Sequence, residues 1–352
     1  MHGVRDEADQ AAFVGGIVGD MLKKLINDPF DAVDELLEGF VGAHGDIVAA
    51  PAPRVIARRE KATSKVGLVI GGGSGHEPSF LGYVGSGVAD AAAIGNVFAA
   101  PGADICLDAI RAASSGRGVL LAYGNYAGDV LNFDLAGELA ELEGITCRTV
   151  RGTDDVASAP PDDRGHRRGI AGLFFLFKIA GAAAERGDDL EAVARIAEHA
   201  NEMSATIGVA LAPCEVPGAG RPTFELGPQD MEIGMGIHGE AGLQRGRLEP
   251  ADAVVDLMLD AILADQAARG LSPGEVALLV NGLGATAYLD LYIVYRAARR
   301  RLESEGWTIS RSFVGEYVTS LEMAGTSISI LRLDDELRGL LDAPARTARL
   351  GG

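Results

Sequence analysis

The stretch GMGIHGEAG, residues 234–242, sets one imidazole, His238, among four glycines, with Glu240 two residues on. A histidine so placed packs poorly and is a weak core residue. No second histidine stands at metal-ligand spacing, so the stretch does not read as a metal site. What it offers is an accessible imidazole, suited to act as nucleophile or general base.

Two further glycine turns carry groups of the same kind. VIGGGSGHEP (69–78) ends an apolar run and delivers His76. It lacks the Lys-Ser/Thr of a Walker loop, and Pro78 falls too early for a dinucleotide-binding helix start. It reads either as a tight turn with an exposed histidine or as bare backbone N–H groups facing a small ligand. YGNYAGDVLNF (123–133) places Asp129 just ahead of a helical stretch, either as its N-cap or as a carboxylate base at the carboxyl edge of a strand. NGLGAT (281–286) reads as a plain turn. Taken together, two histidines and an aspartate on glycine turns, each following an apolar strand, outline a catalytic constellation.

The elements that must position these groups follow from periodicity. Apolar spacing after Pro29 predicts a helix ending near His44. KVGLVIGGGSG, GVLLAYGN and ITCRTV read as strands, and DVLNFDLAGELAEL as a helix. The polar, Pro160-Pro161-containing segment 150–169 reads as a surface loop, followed by an apolar helix ended by Gly187 and an amphipathic one over 189–205. Beyond a border near residue 203, strands are expected at 206–212, 231–237, 276–281, 308–314 and 326–333, with helices at about 250–266 and 287–305. The expected architecture is α/β: an N-terminal extension (1–20), a first domain (21–203) of three layers, α/β/α with a mainly parallel sheet, and a smaller mixed-sheet domain (204–352).

Composition narrows the function classes. The 352 residues carry a net charge of −19, which disfavours nucleic-acid and anionic-membrane partners. At 47% hydrophobic but only 5% aromatic, the core must be built from aliphatic side chains. Cys106, Cys147 and Cys214 are far apart and form no CxxC, which supports neither a disulfide framework nor a zinc site and fits a reducing cytoplasm. No apolar stretch reaches membrane-spanning length, and the opening MHGVRDEADQ is too acidic to read as a signal peptide.

In their order along the chain, these motifs resemble the K subunit of dihydroxyacetone kinase, its substrate-binding subunit. The resemblance runs from MLKKLINDP through GGGSGHEP, NYAGDVLNF, GIHGE and NGLGAT to TSLEMAGTSISILRLDDE and DAP, covering 21–345. It implies that His238 bonds covalently to the ketone carbon of a short ketose as a hemiaminal. It further implies that His76 binds substrate oxygens and assists proton transfer, that Asp129 is the base for the hydroxyl receiving the phosphoryl group, and that Gly73 offers a backbone contact. No cofactor is expected in such a chain. An L-type partner subunit would hold ATP, or ADP recharged by a phosphotransferase-system protein, with Mg, and the K subunit would form a homodimer. Two positions depart from the family pattern: Gly124 stands where bacterial members have the Lys of KNYTGD, and Ala100 where they have the Ser of FTSP or FASP. Both are implied substrate contacts, so a four-carbon ketose such as erythrulose is expected beside dihydroxyacetone. The other reading open to the sequence is a catalytically silent paralogue that senses a ketose for a transcription regulator.

Overall fold

The computed structural model describes residues 23–351. The N-terminal extension expected over 1–20 lies outside them. Helix α1 (Ala32–His44) follows Pro29 as its spacing predicts, and β1 (Val48–Ala52) and β2 (Val55–Arg58) form a hairpin after it. Then come β3 (Gly67–Ser74), β4 (Gly85–Ser86), β5 (Ala91–Val97), α2 (Ala103–Ala113), β6 (Val119–Gly124), α3 (Ala127–Leu142) and β7 (Cys147–Gly152). These strands, β4 excepted, make a six-stranded sheet of order β1-β2-β5-β3-β6-β7. Its β5, β3, β6 and β7 run parallel, and only the hairpin edge is antiparallel.

Strand β3 is buried throughout, so it reads as an unbroken apolar run, and its alternate residues serve two cores. Val69 joins Leu121 of β6, Ile110 of α2 and Phe133 of α3 on one face. Leu68 and Ile70 face the other way, onto Phe174 and Phe177 of α4 (Leu173–Arg186) and Ile196 of α5 (Leu190–Met203).

The second sheet comprises β8 (Ser204–Ala212), β9 (Asp230–Ile233), β10 (Gln244–Arg247), β11 (Glu275–Gly282), β12 (Thr308–Gly315) and β13 (Ala324–Arg332), in the order β10-β9-β8-β13-β11-β12. It is mixed: only β11 and β12 pair in parallel. Val276 and Leu278 of β11 pack under α6 (Ala251–Ala268) and α7 (Tyr288–Ser304). Ala277 and Leu279 turn instead to the core that holds α4 and α5, where α8 (Asp335–Asp342) also packs. A final strand, β14 (Arg346–Thr347), pairs with β4. The helix layer α4/α5 therefore lies between the two sheets, and α5 passes into β8 at Met203–Ser204 without a linker.

Two expectations need correction. The strand over 231–237 stops at Ile233, because Gly234 turns the chain with φ 83°. The segment 150–169, expected as a surface loop, begins inside β7 and is buried at its two ends, at 152–155 and at Arg167, while its middle, with Asp162, Asp163, Gly165 and His166, is exposed. Asp154 and Asp155 are 1% exposed and Arg167 is fully buried. These charges are buried because they are partnered. Asp154 accepts from the Ile170 and Gly172 N–H groups at the start of α4 (3.0 and 2.8 Å), and Arg167 pairs with Asp265 at 2.7 Å. The three cysteines are buried and free. Among the described residues no helix is long and apolar enough to cross a membrane.

Candidate active site

The parallel strands β3 and β6 end side by side, and their carboxyl ends open on a cleft, as α/β sheets generally do. His76 follows β3 and Asp129 lies in the first turn of α3, after β6. The turn after β9 brings His238 across from the other sheet. This small cleft, about 310 Å³ of empty space, is lined by Gly73, His76, Gly124, Tyr126, Asp129 and His238, among others.

The segment 317–321 ties the two histidine turns together. Its Leu321 N–H donates to the Gly75 carbonyl (2.7 Å), its Thr319 hydroxyl to the Glu77 carbonyl (2.8 Å), and its Ser320 hydroxyl to the Ile237 carbonyl (2.5 Å). The glycines of GGGSG are not a loose turn. Gly71–Gly73 belong to β3, and a Cβ on Gly73 would stand 2.7 Å from the Ala99 amide nitrogen. That close approach holds the loop carrying Phe98 against the cleft.

His76 is 2% exposed, which excludes the exposed-turn reading. Its Nδ1 lies 2.7 Å from the Thr319 carbonyl and its Nε2 3.0 Å from His238 Nε2. Phe98 stacks on it at 5.0 Å and 15°. Burial, reinforced by His238, pushes the His76 pKa down to about 3.

His238 is half-buried and boxed edge-on by His76, Phe98 and Tyr126, with ring centroids 4.8, 5.1 and 4.9 Å away. The glycine-rich turn leaves room for these rings, so the side chain is better packed than its sequence neighbours suggest. Its Nδ1 faces Glu240 Oε1 at 3.1 Å, and its backbone N–H donates to Glu240 Oε2 at 3.0 Å. Glu240 is partly buried, yet the His238 ring and N–H groups hold its pKa down to about 2.

Asp129 is not the helix N-cap: Tyr126 occupies that position, and no side-chain cap bond forms. Asp129 is 8% exposed, its Oδ1 has no hydrogen-bond partner, and burial pushes its pKa up to about 7 against the pull of His238. The Tyr126 hydroxyl is likewise buried without a partner. Orphaned polar atoms in a cleft wall are groups a polar ligand can satisfy. Ala100 does not line the cleft; it packs beside Gly128, next to Asp129. NGLGAT stands behind the site: Asn281 accepts from the Tyr317 and Val318 N–H groups (2.8 and 3.0 Å) and so holds the segment that binds His76. Among the described residues no three His, Cys, Asp or Glu side chains converge as metal ligands.

Hydrogen-bond chemistry settles the tautomers. A carbonyl only accepts, so His76 Nδ1 carries a hydrogen. The ionised Glu240 carboxylate also only accepts, so His238 Nδ1 carries one as well. In the neutral pair both Nε2 atoms then present lone pairs into the cleft. The two imidazoles thus face each other in the cleft, with Asp129 nearby on the same wall.

The Dak1 domain family matches residues 38–349. The chain belongs to this family, that of the dihydroxyacetone kinase K subunit. It is 45% identical over 330 residues to the dihydroxyacetone-binding subunit DhaK of PTS-dependent dihydroxyacetone kinase 2 from Listeria innocua, covering 93% of this chain and 98% of that one. It is 44% identical over 325 residues to the L-erythrulose 1-kinase of Mycolicibacterium smegmatis, covering 92% of this chain but only 57% of that longer protein. Among solved structures, the dihydroxyacetone kinase operon co-activator Dha-DhaQ superposes with a TM-score of 0.83 at 31% identity, over 88% of this chain and 96% of the other. The fold carries over to both an operon co-activator and kinases, so the fold alone does not separate the two roles.

The sequence pointed to His76, Asp129 and His238 and passed over Phe98, Tyr126, Arg168 and the 317–321 segment. The run EYVTSLEMAG, polar residues directly after a strand, is the signal that could have found the last of these.

Proposed function

We propose that this chain is the ketose-binding subunit of a kinase and holds a short ketose on His238 as a hemiaminal. The facing Nε2 atoms of His76 and His238 carry this reading. When a ketone enters between them, His238 Nε2 bonds to the carbonyl carbon and the C=O π pair moves onto oxygen. That oxygen takes a proton from solvent, relayed past His76 Nε2. The ring becomes an alkylimidazolium whose Nδ1–H faces the Glu240 carboxylate, so atoms and charge balance. A polyol such as glycerol has no carbonyl and is refused on chemical grounds.

Asp129 then removes the proton of a terminal hydroxyl as that oxygen attacks a phosphoryl group. A carboxylate titrating near 7 is well matched to this task. The phosphoryl donor comes from an L-type partner holding ATP, or ADP recharged by a phosphotransferase-system protein, with its Mg. The test is native intact-mass measurement with a panel of ketoses and glycerol, followed by turnover with an L-type subunit. Adduct formation by ketoses alone is expected. Equal binding of glycerol would refute the covalent reading.

The likeness to an operon co-activator favours a second reading, a ketose sensor without turnover. A sensor needs His238 but no base. The buried, unpartnered Asp129 supports the kinase. Ketose adduct without phosphorylation in the presence of several L-type partners would favour the sensor.

A further inference from the structure

Glu240 sits at the end of a line of charges that runs back from His238 through Arg168 to Asp155. Buried Asp155 takes Arg168 through Nε (2.9 Å) and Nη2 (2.7 Å), and its other oxygen accepts from the Ala157 N–H (3.0 Å). Arg168 also donates to the Gly234 carbonyl at 3.2 Å, which anchors it beneath the histidine turn. Its Nη1 stands 3.8 Å from Glu240 Oε2. Glu240 in turn grips both the backbone N–H and the ring of His238. A second observation is independent of these bonds. A Cβ on Gly236 would overlap both Glu240 Oε2 and Arg168 Nη1, while the Gly236 φ lies outside the left-handed region. The glycine there makes room for the carboxylate–guanidinium pair rather than for an unusual backbone angle.

We propose that Glu240, held by Arg168 on Asp155, is the positioning residue of the site: it fixes His238 as the Nδ1–H tautomer and so keeps Nε2 bare toward an incoming carbonyl. When Nε2 bonds to carbon, the same carboxylate faces the positive ring. Orienting partners of this kind set which imidazole nitrogen is available for chemistry. This rests on the covalent reading of His238, but its first test does not require a ketose.

Imidazole ¹⁵N spectra of the unliganded protein, with His238 identified by difference from His238→Ala, report the tautomer directly. The parent is expected to show Nδ1–H, and Glu240→Ala to show an appreciable Nε2–H population. In ketose binding, Glu240→Ala should raise the dissociation constant at least tenfold. Glu240→Gln keeps an acceptor but removes the charge, so it should retain the tautomer and weaken binding several-fold. With an L-type partner, both should raise KM more than they lower kcat, because Glu240 does not face the reacting hydroxyl. Glu240 is about one-third exposed (34%) but bonds the His238 ring and backbone, so both variants should fold with some loss in melting temperature. Should Glu240→Ala fail to fold, Glu240→Gln carries the test alone, and an unchanged ketose affinity would overturn the proposal. A persistent Nδ1–H tautomer in Glu240→Ala, with affinity within twofold of the parent, would also overturn it. If the parent binds no ketose but the tautomer responds as stated, the covalent reading fails and the positioning role stands.

Discussion

His76 and His238 meet Nε2 to Nε2 at 3.0 Å, although one follows a strand of the first sheet and the other a strand of the second. Their outer nitrogens are engaged, by the Thr319 carbonyl and the Glu240 carboxylate. In the proposed function a ketose carbonyl would part them, exchanging one imidazole–imidazole contact for two contacts to itself. Neither histidine makes this site alone. The cleft is a property of how the two sheets meet across α4 and α5.

Replacing His238 by Ala is expected to abolish the ketose adduct while preserving the fold. The ring contacts of the side chain are worth about 0.5–1.5 kcal/mol each, and it is only half-buried, so a modest loss in melting temperature is expected. The backbone bond from His238 N–H to Glu240 does not depend on the ring. Native mass spectra of the variant with the ketoses that label the parent check this. An adduct of unchanged yield would move the chemistry to another residue.

Asp129→Asn separates binding from turnover. The adduct should persist, while kcat should fall by about 10²–10⁴, the usual contribution of a positioned base. In the parent, kcat should rise with pH through about 7, since the ionised carboxylate is the active form. Stability gives an independent readout. The folded pKa is raised from 3.8 to about 7, so the stability contribution is full below about pH 4 and is lost as pH rises through 7. The parent and the variant should thus be alike in acid, with the variant more stable above pH 7 by at most about 4 kcal/mol. Urea melts across pH 4–8 measure the gap. A gap that opens in acid instead would contradict the raised pKa.

The parts legible in the sequence and the parts that were not differ for physical reasons. Strands β3, β6 and β11 were readable because burial on both faces leaves unbroken apolar runs. Strand β5 was not: AAAIGNV carries little β-branched bulk, and its small residues pack closely beneath α2 and the Ala99–Ala100 loop. The histidines and Asp129 stood out by residue type in glycine settings. Their burial could not be seen, because it is imposed by residues distant in the chain. The partner of His76, Thr319, lies 243 residues away, and Glu240 is steadied by Arg168 from the segment read as a surface loop. Asp129 looked like a cap because it lies only three residues past the N-cap, Tyr126, a difference only backbone geometry resolves.

Gly73→Ala tests how the strand glycines support the histidines. The new Cβ would stand 2.7 Å from the Ala99 nitrogen and 3.1 Å from its oxygen, backbone atoms that cannot rotate aside. The loop must therefore move, and with it Phe98, which stacks on His76 and meets His238 edge-on. The expected cost is about 1–3 kcal/mol of overpacking, with weaker ketose binding although no substrate contact has been removed. Thermal melts and adduct yield measure the two effects. A variant with parental values for both would show that this loop does not depend on Gly73.

The tetrulose expectation rests on Gly124. It lines the cleft where the resemblance implies a Lys in the family, and its backbone lies outside the left-handed region, so no unusual φ demands a glycine. Loss of the Lys removes a donor, and a single lost hydrogen bond typically matters by about 0.5–1.5 kcal/mol. A four-carbon ketose brings an additional hydroxymethyl group that can stand in for the missing polar contact. We therefore expect a higher kcat/KM for erythrulose than for dihydroxyacetone. Gly124→Lys should shift the ratio toward the triose. Its Cβ would come within 3.0 Å of the Tyr126 ring and 3.3 Å of the Gly169 carbonyl, so the ring must give by a few tenths of an ångström. Because Tyr126 abuts His238, some activity on both sugars should be lost as well. Ala100→Ser should change the sugar ratio little, because Ala100 lies beside the first turn of α3 and not on the cleft wall. Steady-state kinetics of the parent, the two single variants and the double variant on both ketoses separate these effects. A parent that prefers dihydroxyacetone, or a Gly124→Lys variant that loses both activities in equal proportion, would reject the tetrulose assignment.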